Sequence, residues 1–374
     1  MHQDNTDPRS ESGRAASPGR RRIGRLMAGL LASNVVPAIA QSTGGTDAAA
    51  APASVRKIDV HHHFLPPVFR ATMGEAAIGA PAPNRVAPQW RVADSLAVMD
   101  RQGITTAVVS APPLWMPDMA KTRRLTRACN EYSARMVADH PDRFGAFAAL
   151  PLPDVKAALE EIGHALDVLK ADGIGLMTNY DDRYLGHADF TPVFDELNRR
   201  KAVVYVHPTS CTCNRGLLPD EPDSLIEFPH DTTRAVASLL FSGTFGRCPD
   251  IRFIFSHAGG TVPFLAHRMA LLGSLDKGLA RHVPEGVMPI LRRLYYDTAI
   301  AANPLSMAAL LELVTPANVL LGTDFPFVPE HGVQATLAGL RDVGFSDAEL
   351  RAVEGGNAAR LLDRVAREGA RTVT

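Results

Sequence analysis

Five polar residues stand out because their types and spacing suit metal chemistry. His61 and His63 flank His62 after the run Lys57-Ile58-Asp59-Val60, while His207, His257 and Asp324 each close a short apolar run. Side chains alternate along an extended chain, so His61 and His63 face one side and His62 the other. Two imidazoles so placed form a clamp, and neutral imidazole suits zinc and other first-row metals. Three histidines with one carboxylate leave a position for water or substrate, as a catalytic centre requires. The expected metal ligands are therefore His61, His63, His207 and Asp324. His257 precedes Ala258-Gly259-Gly260, and glycines let backbone approach a ligand closely. It reads as a proton donor or acceptor, with a fifth metal ligand as the alternative. Asp324 is the other candidate for moving a proton, and the sequence does not choose between them.

These residues are far apart in the chain, so the fold must gather them. From Lys57 onward, short β-branched runs alternate with helical patterns, which indicates βαβ units around a parallel sheet. Eight strands are expected, at 57–61, 105–110, 144–150, 173–177, 202–207, 252–257, 294–298 and 319–324. The fold class is thus α/β, a (β/α)8 barrel over residues 57–374. Helices are expected at 95–102, 122–140, 155–171, 191–201 and 232–243, with a helical tail at 347–368. Residues 64–94 form a Pro/Gly-rich insertion after strand 1, of the kind that caps active sites. Barrel chemistry sits at the C-terminal strand ends, which is where the five residues fall. The other histidines, His62 included, read as structural or surface residues. Strand 4 ends in Met177-Thr178, without the bridging carboxylate of a two-metal site, so one metal is expected.

The N-terminus differs in kind. Arg20-Arg21-Arg22-Ile23, the apolar stretch 26–40 and the small residues Ala38-Ile39-Ala40 read as a secretory signal of twin-arginine type. Residues 1–40 are assigned to it and 41–56 to a linker of small residues. The chain would then be exported or periplasmic. If the segment is not a signal, it would be cytoplasmic. The apolar stretch is too short for a stable span, so no membrane association is expected after its removal. A formal charge of −1 with no basic patch excludes a nucleic-acid footprint. Cys211 and Cys213 read as two loop thiols, with a redox pair or substrate contacts as sharper alternatives.

Longer segments around these residues carry a family resemblance. IDVHHHFLPP (58–67), VYVHP (204–208), FIFSHAGGTVPF (253–264), YYDTA (295–299) and LLGTDFPF (320–327) resemble the amidohydrolase-related metal-dependent decarboxylases. These include the aminocarboxymuconate semialdehyde decarboxylases. YYDTA, GTDFPF and the insertion bearing Trp90 look most like the 6-methylsalicylate decarboxylase branch. The resemblance implies the same four metal ligands and a substrate-handling role for His257. Some relatives carry a catalytic acid two or three residues after this histidine, where this chain has Gly259 and Gly260. A homodimer is implied by the resemblance alone.

The expected reaction is non-oxidative decarboxylation of a small aromatic or unsaturated carboxylic acid. Protonation of the carbon bearing the carboxylate makes it tetrahedral and lets CO2 leave. One divalent cation, zinc or alternatively manganese, would serve as template and Lewis acid. Phe325, Phe327 and Trp115 are candidates for the ring pocket, and Arg215 for a carboxylate partner. The rival readings are a hydrolase of a lactone, amide or ester using the same site, and a non-catalytic binding barrel.

Overall fold

The computed structural model describes residues 56–74, 87–214, 217–218 and 220–362. The expected signal, all but the last residue of the expected linker, Arg215 and the middle of the insertion lie outside the described residues. No helix among the described residues is long and apolar enough to cross a membrane.

Eight strands form the barrel. They are β1 (Lys57–His63), β2 (Ile104–Ser110), β3 (Phe144–Ala149), β4 (Gly173–Met177), β5 (Val203–His207), β6 (Arg252–Phe255), β7 (Tyr295–Asp297) and β8 (Val319–Leu320). All pairs are parallel and neighbours follow chain order. The Val60 amide donates to the Leu321 carbonyl and His62 bridges to Phe325, which closes β8 onto β1. A short antiparallel hairpin, Asn179–Tyr180 with Arg183–Tyr184, lies outside the barrel sheet.

Two cores result. The larger one lies between strands and helices, and the smaller fills the barrel with Ile58, Val60, Val108, Phe147, Tyr205 and Ile254. The register of β1 shifts between Asp59 and His62. This irregularity explains how Val60 packs in the barrel while His61, the next residue, also turns inward against Tyr205, with ring centroids 5.4 Å apart. Simple alternation would not allow both.

Helices fill the connections. They are α1 (Pro67–Met73), α2 (Val92–Gln102), α3 (Met119–Asp139), α4 (Val155–Gly163), α5 (Thr191–Arg199), α6 (Asp223–Phe241), α7 (Val262–Leu275), α8 (Pro304–Leu313) and α9 (Glu330–Asp342). Their N-caps have a plain chemical basis. Asp118 accepts from the Lys121 amide and Asp154 from the Ala157 amide, satisfying donors that a first turn leaves free. Helix α6 starts nine residues before the expected 232, because Pro229 within it mimics a helix boundary. The tail is helical over Asp347–Arg351 and Asn357–Leu361, joined by a π turn. Ala358, Leu361 and Leu362 pack into the smaller core and close the barrel floor. The remainder of the expected tail helix, 363–368, lies outside the described residues.

Five strand ends differ from expectation: β1 runs on to His63, β3 stops at Ala149, and three more stop short at the rim. β6 stops at Phe255, β7 at Asp297 and β8 at Leu320. Beyond them the backbone turns left-handed, with φ of 54° at His257, 55° at Ala258 and 63° at Asp324. Such angles are sparsely populated for residues with a Cβ and end a regular ladder. Cys211 and Cys213 are joined as a disulfide and are not two free thiols.

Candidate metal centre

His61, His63, His207 and Asp324 come together at the C-terminal rim, with one ligand atom of each within 4.8 Å of the others. The imidazoles are oriented from behind. His61 Nδ1 meets Asp297 Oδ2 at 2.9 Å, His63 Nδ1 donates to the Ser110 carbonyl at 3.2 Å, and His207 Nδ1 donates to the Pro208 carbonyl at 2.8 Å. With each Nδ1 engaged by an acceptor, each Nε2 keeps its lone pair for the centre.

Distances fit a cation. The Nε2 atoms of His61 and His63 are 3.1 Å apart, and Asp324 Oδ1 lies 3.2 and 3.1 Å from them. Ligand atoms at about 2.0–2.1 Å from a tetrahedral zinc sit roughly 3.3 Å from one another. Asp324 Oδ1 is buried and accepts no well-directed hydrogen bond among the described residues. A buried carboxylate oxygen without a well-directed donor, facing converging imidazole nitrogens, is the chemistry of a metal site.

Electrostatics agree. Burial and the adjoining His63 and His61 rings push His207 well below its ordinary value, and burial lowers His63 and His257. His61 is the exception. Burial opposes its charge, yet the Asp297 and Asp324 carboxylates outweigh it and hold the ring at about 10. For Asp324 burial pushes upward, and His61 and His63 outweigh that to hold it well below the usual carboxylate range. Without metal the centre is thus an imidazolium between carboxylates, and a cation can take that positive charge's place.

His257 sits beside this cluster, its ring centroid 4.9 Å from that of His61. It groups with His61 and Asp297, apart from the four-residue set. His257 Nδ1 donates to the Ala299 carbonyl at 3.1 Å, which leaves Nε2 able to take or return a proton. The glycines after it are sterically required. A Cβ on Gly260 would lie 2.1 Å from the Pro229 carbonyl oxygen, so an acid cannot stand there.

Asp297 is the functional residue that sequence reasoning passed over. It closes β7 within the quoted YYDTA segment and is an acidic strand end like Asp324. Gly322 makes room for it, since a Cβ there would come within 2.9 Å of both Asp297 and His61.

His62 points outward, away from the centre. Trp90 Nε1 donates to Ser95 Oγ at 2.9 Å, Ser95 donates to His62 Nε2 at 2.8 Å, and His62 Nδ1 donates to Asp59 Oδ2 at 3.0 Å. Asp59 Oδ1 also accepts the His61 and Thr323 amides. This buried chain locks the end of the insertion and the β8 extension to β1.

A cavity of about 650 Å³ opens on the centre. His207, His257 and Asp324 form its floor, and Phe69, Met73, Phe228 and Phe327 are among its apolar walls. Of the expected ring-pocket residues only Phe327 is there. Phe325 packs against His62 and Trp115 against the outer core.

Fold and cluster together define a metal-binding (β/α)8 barrel. The amidohydrolase family model matches residues 58–364, and the chain belongs to that family. The chain is 37% identical over 315 residues to a 6-methylsalicylic acid decarboxylase of Penicillium expansum, covering 83% of this chain and 97% of that one. It is 25% identical over 269 residues to a 2-amino-3-carboxymuconate-6-semialdehyde decarboxylase of Dictyostelium discoideum, covering 71% and 74%. A dihydroxybenzoic acid decarboxylase of Polaromonas, solved with manganese and 2-nitroresorcinol, shares the fold with a TM-score of 0.69 at 20% identity, covering 82% and 97%.

Proposed function

We propose that this chain is a metal-dependent carboxy-lyase that removes CO2 from a hydroxybenzoic acid of the 6-methylsalicylate type. One observation carries the reading: three imidazole Nε2 atoms and Asp324 Oδ1 converge at the floor of an apolar cavity that His257 also enters. His61, His63, His207 and Asp324 hold the cation in this proposal. Zinc suits the imidazole-rich set, with manganese as the alternative, and metal analysis of the purified protein decides between them. When bound, the cation supplies a Lewis acid and a template for substrate oxygens.

The chain's own residues do the rest. Phe327 and its apolar neighbours seat the ring and exclude water. His257 Nε2 takes the phenol proton and delivers it to the ring carbon bearing the carboxylate. That carbon becomes tetrahedral, its bond to the carboxylate breaks, and the electron pair returns to the ring as CO2 leaves. A proton from solvent restores the phenol. His257 is preferred to Asp324 as the carrier because its tautomer is fixed and its Nε2 is uncommitted.

The test is CO2 release by the metal-loaded protein from a panel of hydroxybenzoates that includes 6-methylsalicylate. Release from one member that stops on chelation is expected. Silence across the panel with metal bound would sink the reading and return attention to hydrolysis of a lactone or ester. A homodimer and export through the 1–40 segment belong to the proposal on sequence grounds only. Sedimentation equilibrium tests the first, and N-terminal sequencing of exported protein the second.

A further inference from the structure

The cavity is larger than the proposed reaction needs. A single-ring acid such as 6-methylsalicylate has about eleven heavy atoms. Giving each atom as much as one liquid water, roughly 30 Å³, fills only about 330 Å³. About half of the 650 Å³ is then left over. The surplus space is shaped by residues with no part in metal binding. Phe69 and Met73 come from α1 in the insertion, and Leu225 and Phe228 from the first turns of α6. Among the described residues lining the cavity there is no lysine or arginine. Its one acid beyond the floor, Asp223, accepts from Ser210 and would repel a second carboxylate. Thr209, Ser210, Ser224 and Ser306 add uncharged hydroxyls to the lining, so a site with one anion-binding end, an apolar side at Phe69, Met73, Leu225 and Phe228 and no second cation selects a monoacid with an uncharged, largely apolar body.

Resting on the decarboxylase reading, we infer that the site takes hydroxybenzoic acids whose ring carries an extended uncharged apolar substituent, such as an alkyl chain or a second ring, seated between Phe69, Met73, Leu225 and Phe228. Each methylene buried there should tighten binding roughly fourfold at most.

The experiment compares 6-methylsalicylate with 6-pentylsalicylate on the metal-loaded full chain, measuring Kd by calorimetry and CO2 release separately. The expected result is a Kd for the pentyl acid at least tenfold lower. Equal or weaker binding of the pentyl acid overturns the inference, whether or not either acid loses CO2. Absence of CO2 release from both, with the pentyl acid bound more tightly, would sink the decarboxylase reading and keep the cavity's preference. Leu225→Asp places a charge in the surplus space at a residue already 59% exposed, a position that folding tolerates. It should raise the pentyl-to-methyl ratio of Kd values several-fold toward one, and an unchanged ratio would also overturn the inference.

Discussion

Asp297 Oδ2 lies 2.9 Å from His61 Nδ1, and Oδ1 of the same carboxylate accepts the backbone amides of His257 and Ala299, each at 2.9 Å. One buried side chain therefore aims a ring of the metal cluster and pins the segment that carries His257. The left-handed backbone at His257 and Ala258 is held in part by this carboxylate.

Asp297→Asn keeps the shape and removes the charge. Carboxylates behind metal-bound histidines typically contribute 10–100-fold to metal affinity. Metal affinity should fall about that much in a competition titration with a chromophoric chelator, and turnover at saturating metal should fall as well. Unchanged affinity would mean that the Asp297–His61 contact does not act on the centre.

The raised pKa of His61 makes metal uptake pH-dependent. With the ring held at about 10 by Asp297 and Asp324, the metal-free protein carries a proton there at neutral pH. Binding a cation must release it, so affinity should rise by about tenfold per pH unit between pH 7 and 9. Calorimetry in buffers of different ionisation enthalpy should show about one proton released per metal. The same linkage acts on folding. A histidine whose folded pKa lies above its unfolded value of 6.5 adds stability that is full below 6.5 and lost as pH rises toward 10. The metal-free chain should therefore lose Tm across that window, and a flat profile would contradict the assignment.

The strand-end polar residues were legible in the sequence because barrel chemistry is confined to one rim and strands have a two-residue period. His61, His63, His207 and Asp324 emerge from that rule alone. The register shift in β1 was not legible, because it depends on how Asp59 bonds the Thr323 and His61 amides across the closure of the barrel. Asp297 was hidden for a similar reason. A single aspartate after two tyrosines looks like any strand end until Gly322 brings His61 beside it. Helix α6 was shortened by the ordinary meaning of proline, whereas Pro229 is tolerated inside it. Phe325 and Phe327 are two residues apart in the sequence, but the left-handed turn at Asp324 leads one behind the barrel wall and the other into the cavity.

His62→Leu separates scaffold from centre. The substitution removes the link between Ser95 and Asp59 in a fully buried chain, at a cost of about 1–3 kcal/mol for polar groups left unpaired. The chemical denaturation midpoint should drop accordingly. Metal content per folded chain should stay at one, because His62 faces away from the cluster. Loss of metal from well-folded protein would show that the Trp90–Ser95–His62–Asp59 chain also sets the His61 geometry.

His257 and Asp324 share a left-handed backbone at strand ends, yet their expected failures differ. Asp324→Ala removes the one oxygen that faces both His61 and His63 Nε2, so three imidazoles remain around an uncompensated charge. Metal content should fall well below one per chain. His257→Ala leaves all four cluster residues untouched and takes away the further imidazole at the cavity floor. Metal content should stay at one, while kcat falls by about 10²–10⁴, the usual contribution of a positioned acid or base. His257→Gln should not restore turnover, because an amide can bond the Ala299 carbonyl but cannot carry a proton. Recovery in the glutamine variant would make His257 a positioning residue, and loss of metal in the alanine variant would make it a ligand.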